Sequence, residues 1–175
     1  MKVKIKVKEL TKGCMPQIIG EGDWIDLKAS KEVKLEGFRA GILKRTNGDK
    51  DNYRRVNFKW ELVPLGVAMQ LPKGYEAVVV PRSSMFKRWY TIQTNSVGVI
   101  DCSYNGDDDE WHMPVLMFEN GVIHKGERIC QFRVQLSQKA SIWQRIKWLF
   151  TNGVKLVQVD ELGNKSRGGF GSTGV

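Results

Sequence analysis

Gly98-Val99-Ile100-Asp101-Cys102-Ser103-Tyr104-Asn105-Gly106-Asp107 reads as a short strand that ends in a tight turn. Val99 and Ile100 are β-branched, and Asn-Gly is a dipeptide that accepts the positive φ angles of a two-residue hairpin turn. The same grammar repeats on both sides. Upstream lie Val63–Ala68, the turn Leu71-Pro72-Lys73-Gly74, and Glu76–Val80. Downstream, Val115–Phe118 runs into Glu119-Asn120-Gly121, and Ile129–Leu136 follows. Nearer the N-terminus, Ile25–Lys28 is a further candidate. Residues 2–8 alternate, with Val3, Ile5 and Val7 on one face and Lys4, Lys6 and Lys8 on the other. Many short strands separated by turn residues predict an all-β sandwich, jelly roll or barrel, and the lack of βαβ alternation excludes a Rossmann-type sheet.

Outside that pattern lie two additions and a tail. Residues 37–60 mix Arg39, Lys44, Arg45, Lys50, Arg54, Arg55 and Lys59 with turn residues. Within 139–156, Ile142, Trp143, Ile146, Leu149 and Phe150 fall on one face of a helix. That face is expected to pack on the sandwich or on a neighbouring subunit, since large apolar patches are seldom left bare. The last stretch, 163–175, is glycine-rich and reads as a flexible arm; its Arg, aromatic and hydroxyls also suit a phosphate-clasping loop. The lysines of residues 2–8 read as an edge strand protected against aggregation rather than a polyanion stripe.

The chain has 175 residues, enough for one core, and a net charge of +9 that suits an anionic partner. Three cysteines, Cys14, Cys102 and Cys130, cannot all pair, and no CxxC occurs; two histidines are too few for a histidine metal centre. No signal-peptide or membrane-spanning run is present, so a soluble intracellular, cytoplasmic protein is expected.

Four local patterns can carry chemistry. Pro81-Arg82-Ser83-Ser84 ends a strand with one guanidinium and two hydroxyls, donors for phosphate oxygens or simply a solvated turn. Val99 and Ile100 deliver Asp101 to a strand end, where it can hold a water and accept its proton, with Tyr104 beside it to pack on a ring or sugar. Gly126-Glu127-Arg128-Ile129-Cys130-Gln131 enters another strand, and a spacing of three puts Arg128 and Gln131 on opposite faces unless Arg128 sits in the preceding turn. Asp26, a lone carboxylate in an apolar strand, is expected to be paired with a base or to face a metal.

In this order and spacing the patterns resemble the five motifs of the trimeric deoxyuridine triphosphatase family: Asp26–Ala29, Pro81–Ser84, Asn95–Gly106, Gly126–Gln131 and Arg167–Gly174. The likeness spans nearly the whole chain, as one domain over 1–162 with the additions at about 37–60 and 139–156, and an arm over 163–175. It implies a jelly-roll-like β-sandwich and a homotrimer whose sites draw motifs from all three chains. It implies Mg²⁺-dependent hydrolysis of dUTP to dUMP and pyrophosphate, with no nucleic-acid or membrane partner. By this resemblance Asp101 is the general base, and Tyr104 stacks under deoxyribose and excludes a 2′-hydroxyl. Asn95 and the backbone of Gly98, Val99 and Ile100 read uracil. Arg82, Ser83, Ser84 and Gln131 position phosphates and water. Asp26 meets Mg²⁺ through water, the ion being held mainly by substrate phosphates. Phe170 covers uracil, with Arg167, Gly171 and Ser172 completing the arm, while Arg128 supports the site's structure. The sequence departs from the family where Trp24-Ile25 precede Asp26, where motif two ends in Ser84, and where Lys165 holds the usual arginine spacing to Phe170. Arg167 is preferred for the γ-phosphate because its planar fork can bind in bidentate fashion. A dCTP deaminase of the same fold, a non-catalytic nucleotide-binding regulator and a generic polyanion-binding β domain are the competing readings. Asp101 with Tyr104 three residues on argues against the first.

Overall fold

Alternation of buried and exposed side chains sets the first strand, Val3–Glu9 (β1), with Val3, Ile5 and Val7 inside and the lysines between them outside. We describe residues 1–20, 22–37, 39–40, 56–57 and 59–169 of a computed structural model. Phe170, Gly171, Ser172 and most of the 37–60 addition lie outside the described residues.

After β1 come Gln17–Ile18 (β2), Ile25–Lys28 (β3), Val33–Leu35 (β4), Arg39–Ala40 (β5), Val56–Asn57 (β6), Trp60–Gln70 (β7) and Tyr75–Pro81 (β8). Then follow the short helix Met85–Trp89 (α1), Thr91–Gln93 (β9), Gly98–Asp101 (β10), Glu110–Met117 (β11), Gly121–Ile123 (β12) and Arg128–Leu136 (β13). Helix Ile142–Leu149 (α2) and strand Val154–Val159 (β14) complete the order. Two five-stranded sheets, β14-β1-β7-β11-β9 and β10-β8-β13-β3-β2, form a jelly-roll-like sandwich. Trp111 of the first sheet meets Phe132 of the second edge-to-face, ring centres 5.2 Å apart and both fully buried. Such a pair contributes about 0.5–1.5 kcal/mol beyond its buried area.

Every predicted strand is present, and three expectations need correction. First, β1 is not an edge: β14 pairs with it in parallel on one side, and β7 in antiparallel on the other. Second, the 139–156 addition is split. Its helix ends at Leu149 and its last three residues begin β14. Third, the apolar face of α2 does not pack on its own sandwich: Trp143, Leu149 and Phe150 are 71%, 79% and 72% exposed. The helix is held instead through Trp148, whose ring lies 5.7 Å from Tyr75, and through Gln144. The Gln144 amide accepts from the Ser141 backbone N–H at 2.6 Å, closing a capping box, and donates to the Lys73 carbonyl.

Candidate functional site

The register of the second sheet decides which motifs can meet. β10 runs antiparallel to β8, with Gly98 opposite Val79 and Asp101 opposite Glu76. Gln131 of β13 is opposite Val80 of β8 and Asp26 of β3. Asp26, Arg82, Arg128 and Gln131 therefore gather at one end of β8, and Asp101 at the other. Glu76 and Pro81 are five steps apart along β8, so about 17 Å of strand lies between the two groups.

At the first end, Asp26 is 2% exposed and ion-paired on both oxygens. Arg82 Nε stands 3.2 Å from Oδ1, and Arg128 Nη1 donates to Oδ2 at 3.0 Å. A bulge between Arg128 and Cys130 makes the contact possible: two consecutive residues, Ile129 and Cys130, are buried, and the extra step brings Arg128 and Gln131 into phase on one face. The opposite-face expectation for that pair is corrected by this bulge. An unpaired carboxylate here would be expensive, and the two guanidinium groups offset its charge. Ser83 and Ser84 stand in the turn that follows β8; Ser83 is exposed, and the Ser84 side chain makes no capping bond to α1. With a guanidinium beside each oxygen, Asp26 is poorly placed to ligate a cation directly, whereas contact through a water needs only a remaining lone pair. Among the described residues, no cluster of three His, Cys, Asp or Glu side chains could hold a metal ion.

At the second end, a pocket of about 260 Å³ is lined in part by Asn95, Gly98, Val99, Ile100, Asp101 and Tyr104. Asp101 is the exposed last residue of β10. Ser103 donates to its Oδ1 through both the hydroxyl and the backbone N–H, the latter at 2.7 Å. Arg167 Nη1 lies 3.4 Å from each carboxylate oxygen and also donates to Ser103 Oγ. The Ser103 hydroxyl, followed by its N–H and the Arg167 charge, holds the Asp101 carboxyl below its ordinary value, against the opposing effect of partial burial. Half-buried Tyr104 donates from its hydroxyl to the Glu110 carbonyl at 2.8 Å. Burial, then the Asp109 and Glu110 charges, pushes its phenol upward and keeps that donor protonated.

The root of the arm lies on this same group in the same chain. Asp107 accepts from the backbone N–H groups of Leu162 and Gly163 at 2.8 and 3.0 Å and is ion-paired with Lys8. Asp109, 1% exposed, accepts from the N–H groups of Gly106, Arg167 and Gly168 at 2.8, 3.0 and 3.2 Å. A Cβ at Gly106 would collide with the backbone of Ser166, so the close approach of the arm requires glycine there. Asp109 and Ser103 were missed in the sequence. Ser103, two residues after Asp101, carried the signal of a side chain–backbone turn; the Asp107–Asp109 run carried none. The Asp109→Ala variant is expected to speed trypsin cleavage after Arg167 by at least about tenfold, since three hydrogen bonds to a buried charge are lost. An unchanged cleavage rate would rule out the anchor.

The family model described as dUTPase matches residues 53–174. The chain is 44% identical over 175 residues to the SPbeta prophage-derived deoxyuridine 5'-triphosphate nucleotidohydrolase YosS of Bacillus subtilis (strain 168), covering 100% of this chain and 99% of that one. In fold it is similar to dUTPase from Streptococcus mutans, with a TM-score of 0.56 at 21% identity over 74% of this chain and 91% of the other. It is also similar in fold to a mutant dUTPase from phage phi11 of S. aureus, described with a structural Mg(II) ion. There the TM-score is 0.57 at 14% identity, over 79% of this chain and 94% of that one. The chain belongs to the dUTPase family.

Proposed function

We propose that the pocket around Asp101 is where dUTP is hydrolysed, with Asp101 as the general base. The observation that carries this reading is an ionised, exposed Asp101 at the end of β10, beside Tyr104 and the arm's Arg167. Asp101 accepts a proton from water as its oxygen attacks the α-phosphorus. A P–O bond forms, the bond to the β-phosphate bridge breaks, and dUMP and pyrophosphate result. Asn95 and the strand edge Gly98–Ile100 face the base. Tyr104 lies under the sugar. Arg167 reaches the phosphates as the arm closes, with Phe170, Gly171 and Ser172 beyond it. The net charge of +9 favours approach of a polyanion.

Arg82, Ser83, Ser84 and Gln131 are the phosphate-end residues, and their distance from Asp101 is why we infer a site assembled from more than one subunit of a homotrimer. Mg²⁺, which fits the triphosphate better than the doubly paired Asp26, would offset phosphate charge when bound there. With Cys14, Cys102 and Cys130 all free, a reducing compartment such as the cytoplasm suits the chain. No helix among the described residues is long and apolar enough to cross a membrane.

Pyrophosphate release from dUTP tests the proposal, with UTP, dTTP and dCTP as controls and with Mg²⁺ or chelator present. Release from dUTP alone, abolished by chelation, is the expected result. Ammonia release from dCTP would favour the deaminase reading. The Tyr104→Ala variant is expected to narrow the ratio of dUTP to UTP kcat/KM by about tenfold, as removal of a steric gate worth one packed group should. A ratio that does not move would place the gate elsewhere.

A further inference from the structure

We propose that Gln93 is a specificity-determining positioning residue: it fixes the amide of Asn95 so that its N–H₂ side faces the base. This rests on the reading of Asn95 as a base-facing residue. The backbone carbonyl of Val79 sets the polarity of the pair. Gln93, 7% exposed at the end of β9, donates from Nε2 to that carbonyl at 3.2 Å. A carbonyl only accepts, so the nitrogen of the Gln93 amide, and not its oxygen, must face Val79.

The same Nε2 stands 2.7 Å from Asn95 Oδ1. Its second hydrogen needs an acceptor, and the oxygen of Asn95 supplies one, so flipping the Asn95 amide would set donor against donor. Nδ2 of Asn95 is thereby turned away from Gln93. Gln93, Asn95, Val79 and Gly98 all line the pocket that holds Asp101 and Tyr104. A Cβ at Gly98 would lie 3.4 Å from Gln93 Nε2, so this bare strand edge leaves the relay room.

A fixed N–H₂ at the pocket wall is a donor that pairs with a ring carbonyl. It opposes a ring amino group, which would leave two donors facing each other. The 4-position separates uracil from cytosine in this way. Free to rotate, Asn95 could present either its oxygen or its nitrogen and would tell the two bases apart poorly. Val79 to Gln93 to Asn95 is thus a polarity relay from a backbone carbonyl to the substrate.

The test is the ratio of kcat/KM for dUTP over dCTP in the assembled enzyme. Gln93→Met keeps length and burial and removes both donors. It is expected to lower the ratio by about tenfold or more, mainly through KM, with kcat for dUTP within about threefold of the parent. Gln93→Glu, a second variant, offers only acceptors when ionised; it should draw Nδ2 of Asn95 inward, turn Oδ1 to the base and lower the ratio further. If either variant, at parental melting temperature, keeps the parental ratio, the relay is overturned. Asn95→Ala separates this from the parent reading. If that variant lowers the ratio while the Gln93 variants do not, only the relay fails; if it does not, Asn95 does not read the base.

Discussion

Asp101→Asn is expected to lower kcat for dUTP by about 10²–10⁴-fold, the usual size of a general-base contribution. The substitution is nearly isosteric. Asparagine keeps an oxygen that can accept from the Ser103 N–H, now at 2.7 Å, so the turn that follows β10 should persist. What disappears is the ability to take a proton from water. Pyrophosphate release under saturating dUTP measures the effect, and unchanged turnover would remove Asp101 from its role. A pH profile gives the sign. Asp101 works as a base only when ionised, and the Ser103 hydroxyl, Ser103 N–H and Arg167 lower its carboxyl. The acid limb of kcat/KM due to this group should therefore lie below the ordinary carboxylate range. Ser103→Ala removes the largest lowering influence and should move that limb upward, so activity is lost at a higher pH than in the parent.

The strands were legible because each has one wet face or sits between turns. Val3, Ile5 and Val7 alternate with lysines, and β8 is bounded by Lys73-Gly74 and Pro81-Arg82. β14 was harder: Val154, Leu156, Val157 and Val159 are half-buried and none is fully inside, so the strand shows no clean alternation. The apolar stripe of α2 does not pack on the chain's own sandwich, where a single aromatic, Trp148, makes the ring contact with Tyr75. For Asp26 the burial argument was readable, and of its two expected outcomes the structure adopts pairing with Arg82 and Arg128. Asp109 could not be read. A run of three aspartates looks like a solvated turn, and its partners are backbone N–H groups of residues nearly sixty positions away, which carry no side-chain signature. Nor could the sequence order of the motifs reveal their separation, because strand register, not chain distance, sets which ends coincide.

That separation yields the other large effect. Ser83→Glu places a carboxylate on the exposed turn among the phosphate-end residues, where it should repel a triphosphate, and Asp101→Asn disables the other group. Each variant alone should be nearly inactive. If every site takes its phosphate end from one subunit and its Asp101 end from another, random mixed trimers made from equal amounts of both chains contain sites with two intact halves. Each half is intact with a chance of one in two, so about a quarter of sites, and about a quarter of parental activity, should return. A site contained within one chain cannot recover this way, because every chain in the mixture carries one lesion. Mixing parental chains with chains carrying both lesions sharpens the distinction: shared sites again give about a quarter of parental activity, whereas single-chain sites give about half. Mixed assemblies must first be demonstrated, for instance by native mass spectrometry of chains with distinct tags. Failure of the two single-lesion chains to restore activity in such trimers would overturn the shared site. It would require the roughly 17 Å between Asp101 and Arg82 to be bridged within one chain, at odds with the β8–β10 register.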